Sequence, residues 1–182
     1  VLLENFRPGV LDRLGFSGHL AVQHGRDVLY IIEERAKGAP ALITDVNVRL
    51  PAHLTASGRA ILSALPKAQL RALFPDRDAF VHRGDAAAVL PESEVIDRYS
   101  RLRTVLDATT TRGFAVEHGS VTSGFSSVAV PVLDHRDWPV AAIAVTFRDD
   151  EVAEDRLADL ATEVRGAAST LSSRIHGRAK QA

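Results

Sequence analysis

The chain has 182 residues, 22 Lys and Arg against 23 Asp and Glu, a formal net charge of −1, and 46% hydrophobic residues. That length suits one domain with a substantial core, and the even charge balance gives no basic footprint for nucleic acid or an anionic membrane. No run reaches the roughly 18 apolar residues of a membrane span, no signal peptide pattern is present, and the absence of Cys excludes disulfides and thiolate metal sites.

Pro8 to Leu14 reads as a short amphipathic helix with Pro in its first turn and Gly15 as a stop. Residues 1–15 are assigned to this connector helix, 16–176 to the domain proper, and 177–182 to a tail that frays. Gly18 to His24 and Asp27 to Arg35 are strands joined by a Gly-containing turn. Leu42 to Val46 is expected to be a third, short strand. Leu54 to Leu65 is a helix with Ile61, Leu62 and Leu65 on one side. Pro66 opens another helix to Phe74. Asp76 to Leu90 has no firm period and is expected to be a loop. Pro91 to Arg112 is expected to be one long helix, with Val95, Tyr99, Leu102 and Leu106 at helical spacing.

Three strands follow between Gly113 and Phe147. Phe125 to Leu133 alternates small polar and apolar residues and then runs into an apolar stretch at Val128–Val132. Asp134 to Asp137 is a polar turn, and Pro139 to Phe147 a further apolar strand. Asp150 to Ile175 closes the chain as a helix with Leu157, Leu160, Ala161, Val164, Ala168 and Leu171 as its apolar face. Strands in two groups with helices around them define an α+β fold, an antiparallel sheet flanked by helices.

Ser126, Ser127 and Thr146 sit among apolar residues at positions that can share one sheet face. An apolar concavity with a few hydroxyls is suited to a small organic ligand. No set of acids, bases and nucleophiles is grouped there for catalysis. Thr55, Ala56, Ser57 and Gly58 begin a helix behind Pro51. A Ser or Thr there is an N-cap, but the exposed amides of a helix start also favour an anion, and small Ala56 and Ser57 allow close approach. Glu117 is either a solvated strand end or a polar anchor accepting a hydrogen bond from a ligand. His53, alone in an apolar segment, reads as structural. His19 and His24 are five residues apart and face opposite sides of a strand, which argues against a shared metal. His118 and His135 fall near turns and are expected to be solvated, as are Arg101, Arg103 and Arg112. Trp138 reads as packing or interface.

The segment Gly113–Phe147 resembles the effector-binding domain of IclR-family transcription regulators. Gly113 opens the pattern, Glu117 stands where the family usually has Asp, and Ser127 occupies a Cys/Ser position. Val128-Ala129-Val130-Pro131-Val132 is the buried strand, and Ala141 to Thr146 matches the next one. Upstream, Pro51-Ala52-His53-Leu54-Thr55-Ala56-Ser57-Gly58-Arg59-Ala60-Ile61-Leu62 is similar to the family's Pro-x-His-x-Thr/Ser-x-x-Gly-Lys-Ala-x-Leu. The resemblance runs from about Phe16 to Leu171. It departs at His118, Gly119 and Ser120, where further acids are usual, at Arg59 in place of Lys, and at Ala144, one of two hydroxyl positions on the last strand.

The resemblance implies a GAF/PAS-like fold with the ligand between one sheet face and the crossing helices. It implies ligand contacts at Ala56, Ser57, Glu117, Ser127, Ala144 and Thr146. It further implies a small-molecule effector, a small organic acid or aromatic metabolite, with no metal or cofactor and no enzymatic activity. DNA would be bound only through an N-terminal winged helix-turn-helix domain outside this chain. A homodimer or tetramer, a cytoplasmic location and no membrane contact are expected. Two other readings stand beside it. Residues 4–15, ENFRPGVLDRLG, resemble a segment of family III CoA-transferases, which would imply a fragment of an acyl-CoA-related enzyme. The reduced polarity at residues 118–120 and 144 is compatible with a dimerisation module whose pocket is vestigial.

Overall fold

The computed structural model describes residues 16–35, 46–80 and 95–175. The expected connector helix within 1–15, most of the strand Leu42–Val46, residues 81–94 and the tail 177–182 lie outside the described residues.

Among the described residues six strands form one antiparallel sheet: β1 (Ser17–His24), β2 (Asp27–Glu34), β3 (Arg49–Pro51), β4 (Ala115–His118), β5 (Phe125–Leu133) and β6 (Pro139–Arg148). Their order across the sheet is β3-β2-β1-β6-β5-β4, and every neighbouring pair is antiparallel. Among the described residues there are four α-helices: α1 (Ala56–Ala64), α2 (Lys67–Leu73), α3 (Tyr99–Arg112) and α4 (Leu157–Ile175).

Strand alternation divides the core in two. One face carries Ala21, Val28, Tyr30, Ala115, Ala129, Ala142 and Ala144 against α1, α2 and α3. The other carries Leu20, Val116, Val128, Val130, Ile143, Val145 and Phe147 against α4. The two faces differ in residue size. The first face is built largely of alanines beneath α1, and the second of Val, Ile and Phe beneath α4. All six expected apolar positions of α4 are buried.

Arg49–Pro51, which sequence reading left unassigned, is a strand paired with Asp27–Leu29, and Val46 sits in an exposed turn. Three boundaries differ from expectation. The long helix starts at Tyr99, since Arg98 is fully extended at φ −159 and ψ 159. Ile96 is buried in the core, and Arg101 Nη1 donates to the Val95 carbonyl at 2.9 Å, so the segment before α3 is held extended. A 3₁₀ turn at Glu154–Arg156 precedes α4, which begins at Leu157. A second 3₁₀ turn, Arg77–Ala79, lies in the segment expected to be loop. At the end of α3, Gly113 adopts φ 82 in the left-handed region and returns its N–H to the Thr109 carbonyl, a helix stop that only Gly makes without strain.

Candidate functional site

Register brings the candidate residues together. Glu117 of β4 is paired with Ser127 of β5, and Ser127 with Thr146 of β6. The three side chains therefore form one row across adjacent strands, on the face that looks toward α1. The Ser127 and Thr146 hydroxyls are 2.9 Å apart and hydrogen-bonded. Ser126 does not share this row. It points to the opposite face, where its hydroxyl donates to Asp149 Oδ1 at 2.6 Å. His118 Nδ1 lies 2.8 Å from the Ser126 hydroxyl oxygen. A serine has one proton, so His118 must be the donor.

Above the row stands the start of α1. Thr55 is its N-cap, accepting a hydrogen bond from the Gly58 amide at 2.9 Å. Ala56 and Ser57 open the helix and are buried. The helix is pinned by two contacts. Gly58 touches the turn before it so closely that a Cβ would fall 2.1 Å from the Ala52 carbonyl oxygen. Buried Arg59 donates through Nε to the His53 carbonyl at 2.9 Å and through Nη1 to the Val116 carbonyl at 2.8 Å.

Between row and helix lies a cleft lined by Tyr30, Thr55, Ala56, Ser57, Glu117, Val121, Thr122, Phe125, Ser127 and Thr146. Five of the six residues expected to contact ligand border it. Ala144 does not; it pairs with Ala129 one step further along the strands and is buried in the core. The cleft is narrow, with a cavity volume of about 10 Å³, roughly the room for one water. The cover is the loop between β4 and β5, which carries Gly119 (φ 64) and Gly124 (φ 80) near its ends.

Glu117 is not a solvated strand end. It is 2% exposed, and its Oε1 accepts the amide of Val121 in the covering loop at 3.0 Å. Burial pushes its carboxyl up to about 7, against the pull of Arg59 and of the Val121 and Ser120 amides. Tyr30 and Thr55 are cleft residues that sequence reasoning missed. Burial pushes the Tyr30 phenol up to about 12, so it stays a neutral donor. Alternation along Asp27-Val28-Leu29-Tyr30 puts Tyr30 on the core face with Val28, but only the sheet order carries its hydroxyl to α1. The Ser57 hydroxyl is close to this phenol without the geometry of a hydrogen bond, and it is buried and unpartnered.

The other histidines stand outside the cleft. His53 is buried edge-on to Phe74 and Phe80. His19 is buried beside Tyr30, and its pKa is lowered to about 4 by burial, with Arg35 adding to the effect. His24 is exposed, 2.8 Å from Arg49. Arg101 and Arg103 are half-buried rather than solvated. Among the described residues no group of three or more His, Cys, Asp or Glu is placed to hold a metal ion, and no helix is long and apolar enough to cross a membrane.

A helix start thus faces a row of hydroxyls and one buried carboxyl across a cleft on an α+β scaffold. The profile of the family described as "Bacterial transcriptional regulator IclR C-terminal" matches residues 8–173, and the chain belongs to that family. It is 28% identical over 160 residues to the HTH-type transcriptional regulator XynR of Escherichia coli, covering 88% of this chain and 60% of the relative. It is 31% identical over 132 residues to the glycerol operon regulatory protein of Streptomyces coelicolor, covering 72% of this chain and 48% of the relative. The chain thus spans about half to three fifths of the length of these curated relatives. The fold is similar to the Thermotoga maritima IclR (TM-score 0.82, 19% identity, 96% of this chain and 67% of that one). It is also similar to the PobR inducer-binding domain of Acinetobacter, solved as a double mutant with 3-hydroxybenzoic acid (TM-score 0.69, 20% identity, 91% and 97%).

Proposed function

We propose that this chain is the effector-sensing domain of a transcription regulator. The cleft binds a small organic acid or aromatic metabolite, and occupancy is passed to a DNA-binding domain in the intact protein. The observation that carries this is the row Glu117, Ser127 and Thr146 facing the amides of Ala56 and Ser57 across a cleft. It offers a helix start to an anionic group and hydroxyls to an uncharged one. The related chains being regulators supports a binding role over catalysis. The CoA-transferase resemblance at residues 4–15 lies outside the described residues, and no curated relative named above is an enzyme.

Ligand can bias DNA binding only by binding one global state better than another. A homodimer or tetramer acting in the cytoplasm, with no membrane partner, completes the reading. At its present width the cleft does not accept an aromatic acid, so entry displaces the 119–124 cover.

The test is a thermal-shift screen of this chain against 2-oxo acids, aromatic acids and acyl metabolites. A ligand at about a hundred times its Kd adds roughly 2.7 kcal/mol, a shift of several degrees for a domain of this size. Loss of the shift in Ser127→Ala/Thr146→Val locates it in the cleft. No shift with any acid sinks the acid-sensor reading.

A further inference from the structure

Glu117 brings a carboxyl into a cleft whose other end is built for an anion. Two observations mark that other end. The nine-residue helix α1 starts there, and the Ser57 hydroxyl lines the cleft while buried and without a hydrogen-bond partner. An acid seated at this start meets a second carboxyl in the same confined space. Two carboxylates in one poorly solvated site do not both ionise.

We propose that an effector carboxylate held at the start of α1 and the Glu117 carboxyl hold one proton between them, so that the cleft takes up a proton whenever it takes up an acid. This rests on the sensor reading above and specifies its ligand class as a monocarboxylate.

The surroundings of Glu117 support the assignment. From α1, Arg59 donates to the His53 and Val116 carbonyls, and its charge pulls the Glu117 carboxyl down by less than burial raises it. From β2, Tyr30 is a neutral phenol. On β5 and β6 the facing groups are the hydroxyls of Ser127 and Thr146. Asp149, beyond β6, adds negative charge that favours the protonated form. His118, on Glu117's own strand, is turned to Ser126 on the other face. α3 packs through Leu102 and Leu106, and its Arg103–Asp107 pair lies on its outer side. The free carboxyl already sits near neutrality because of burial, and a nearby anion pushes it further up. A protonated Glu117 also gains a donor that an effector oxygen can accept, which ionised Glu117 lacks.

Calorimetric titration of this chain with 3-hydroxybenzoate and with propionate, both ionised throughout, tests this at pH 6, 7 and 8 in two buffers of different ionisation enthalpy. The expected result is uptake of about half a proton at pH 7 and nearly one at pH 8, with Kd rising about tenfold from pH 6 to pH 8. Glu117→Gln keeps an oxygen for the Val121 amide, and in it both effects vanish. The proton count on the unaltered protein stands even if that variant folds poorly. Binding with no proton uptake overturns the inference and leaves the sensor reading standing. Binding of benzyl alcohol or benzylamine and of neither acid overturns the inference and the acid class of the ligand, and leaves a sensor of an uncharged or cationic ligand. Failure of acids, alcohol and amine together overturns this inference and the sensor reading with it.

Discussion

Arg59 Nη1 donates to the Val116 carbonyl at 2.8 Å, so the helix that opens the cleft is tied directly to the strand that carries Glu117. The same guanidinium donates to the His53 carbonyl on the turn before α1. One planar fork thus fixes the helix against both cleft walls. Arg59→Ala leaves two buried carbonyls short of a donor, each costing about 1–3 kcal/mol. Arg59→Lys, the residue more usual in the family pattern, replaces the fork with a single compact ammonium and is expected to lose about half as much. Urea denaturation of the three proteins gives this ranking; equal stability of Arg59→Lys and the unaltered chain would show the second bond to be idle.

Gly58 sits where a Cβ would meet the backbone of Ala52 at 2.1–2.5 Å. Backbone does not swing aside as a side-chain tip can. Gly58→Ala therefore has to lift α1 off its turn, against the roughly 1 kcal/mol that Ala normally gains over Gly in a helix. A net loss of about 2–3 kcal/mol is expected, read as a fall in the denaturant midpoint at unchanged m-value. A neutral or stabilising Gly58→Ala would contradict the packing described.

Ser127 and Thr146 share one hydrogen bond in a part-buried site. Removing either hydroxyl strands the other, whereas removing both leaves nothing to strand. In a double-mutant cycle of Ser127→Ala and Thr146→Val, the singles are each expected to cost about 1 kcal/mol and the double less than their sum, with a coupling of about 0.5–1 kcal/mol. Strict additivity in urea midpoints would mean that solvent satisfies both hydroxyls already.

Glu117 and His19 make stability depend on pH in opposite directions. Glu117 is raised from 4.5 to about 7, so the folded protein keeps a proton that the unfolded chain releases, and stability falls as pH rises from about 4.5 through 7. His19 is lowered from 6.5 to about 4, so the unfolded chain binds a proton that the folded protein refuses, and stability falls as pH drops below 6.5. The two oppose each other between about 4.5 and 6.5, and Glu117 acts alone above. From pH 6 to pH 8 its share is a loss of about 1 kcal/mol. Glu117→Gln should flatten that upper limb in urea titrations while leaving the acid limb, which His19→Gln should flatten in turn.

Much of the site was legible because it rests on alternation. A two-residue period puts Glu117, Ser127 and Thr146 each on a definable face. What alternation does not contain is register, and register decided which of Ser126 and Ser127 joins the row. Ala144 has the right face, but two residues along the strand put it beneath α1 rather than in the cleft. The α4 face was legible in full, since six apolar positions at helical spacing meet one sheet face. Arg49–Pro51 was not, because three residues give no period and Pro argues against a strand. The start of α3 was not legible either, because Ile96 is drawn into the core and burial there overrides local propensity.

The floor of the cleft is a run of paired strands, each locked to two neighbours or to α1, whereas its roof is four residues slung between two left-handed glycines. Deforming the floor means shearing a whole ladder; deforming the roof means turning a few soft torsions. A guest molecule therefore works against two very unequal springs. Nearly all the displacement it causes is delivered at the β4–β5 edge, and the opposite edge of the sheet, at β3, is left as the fixed frame.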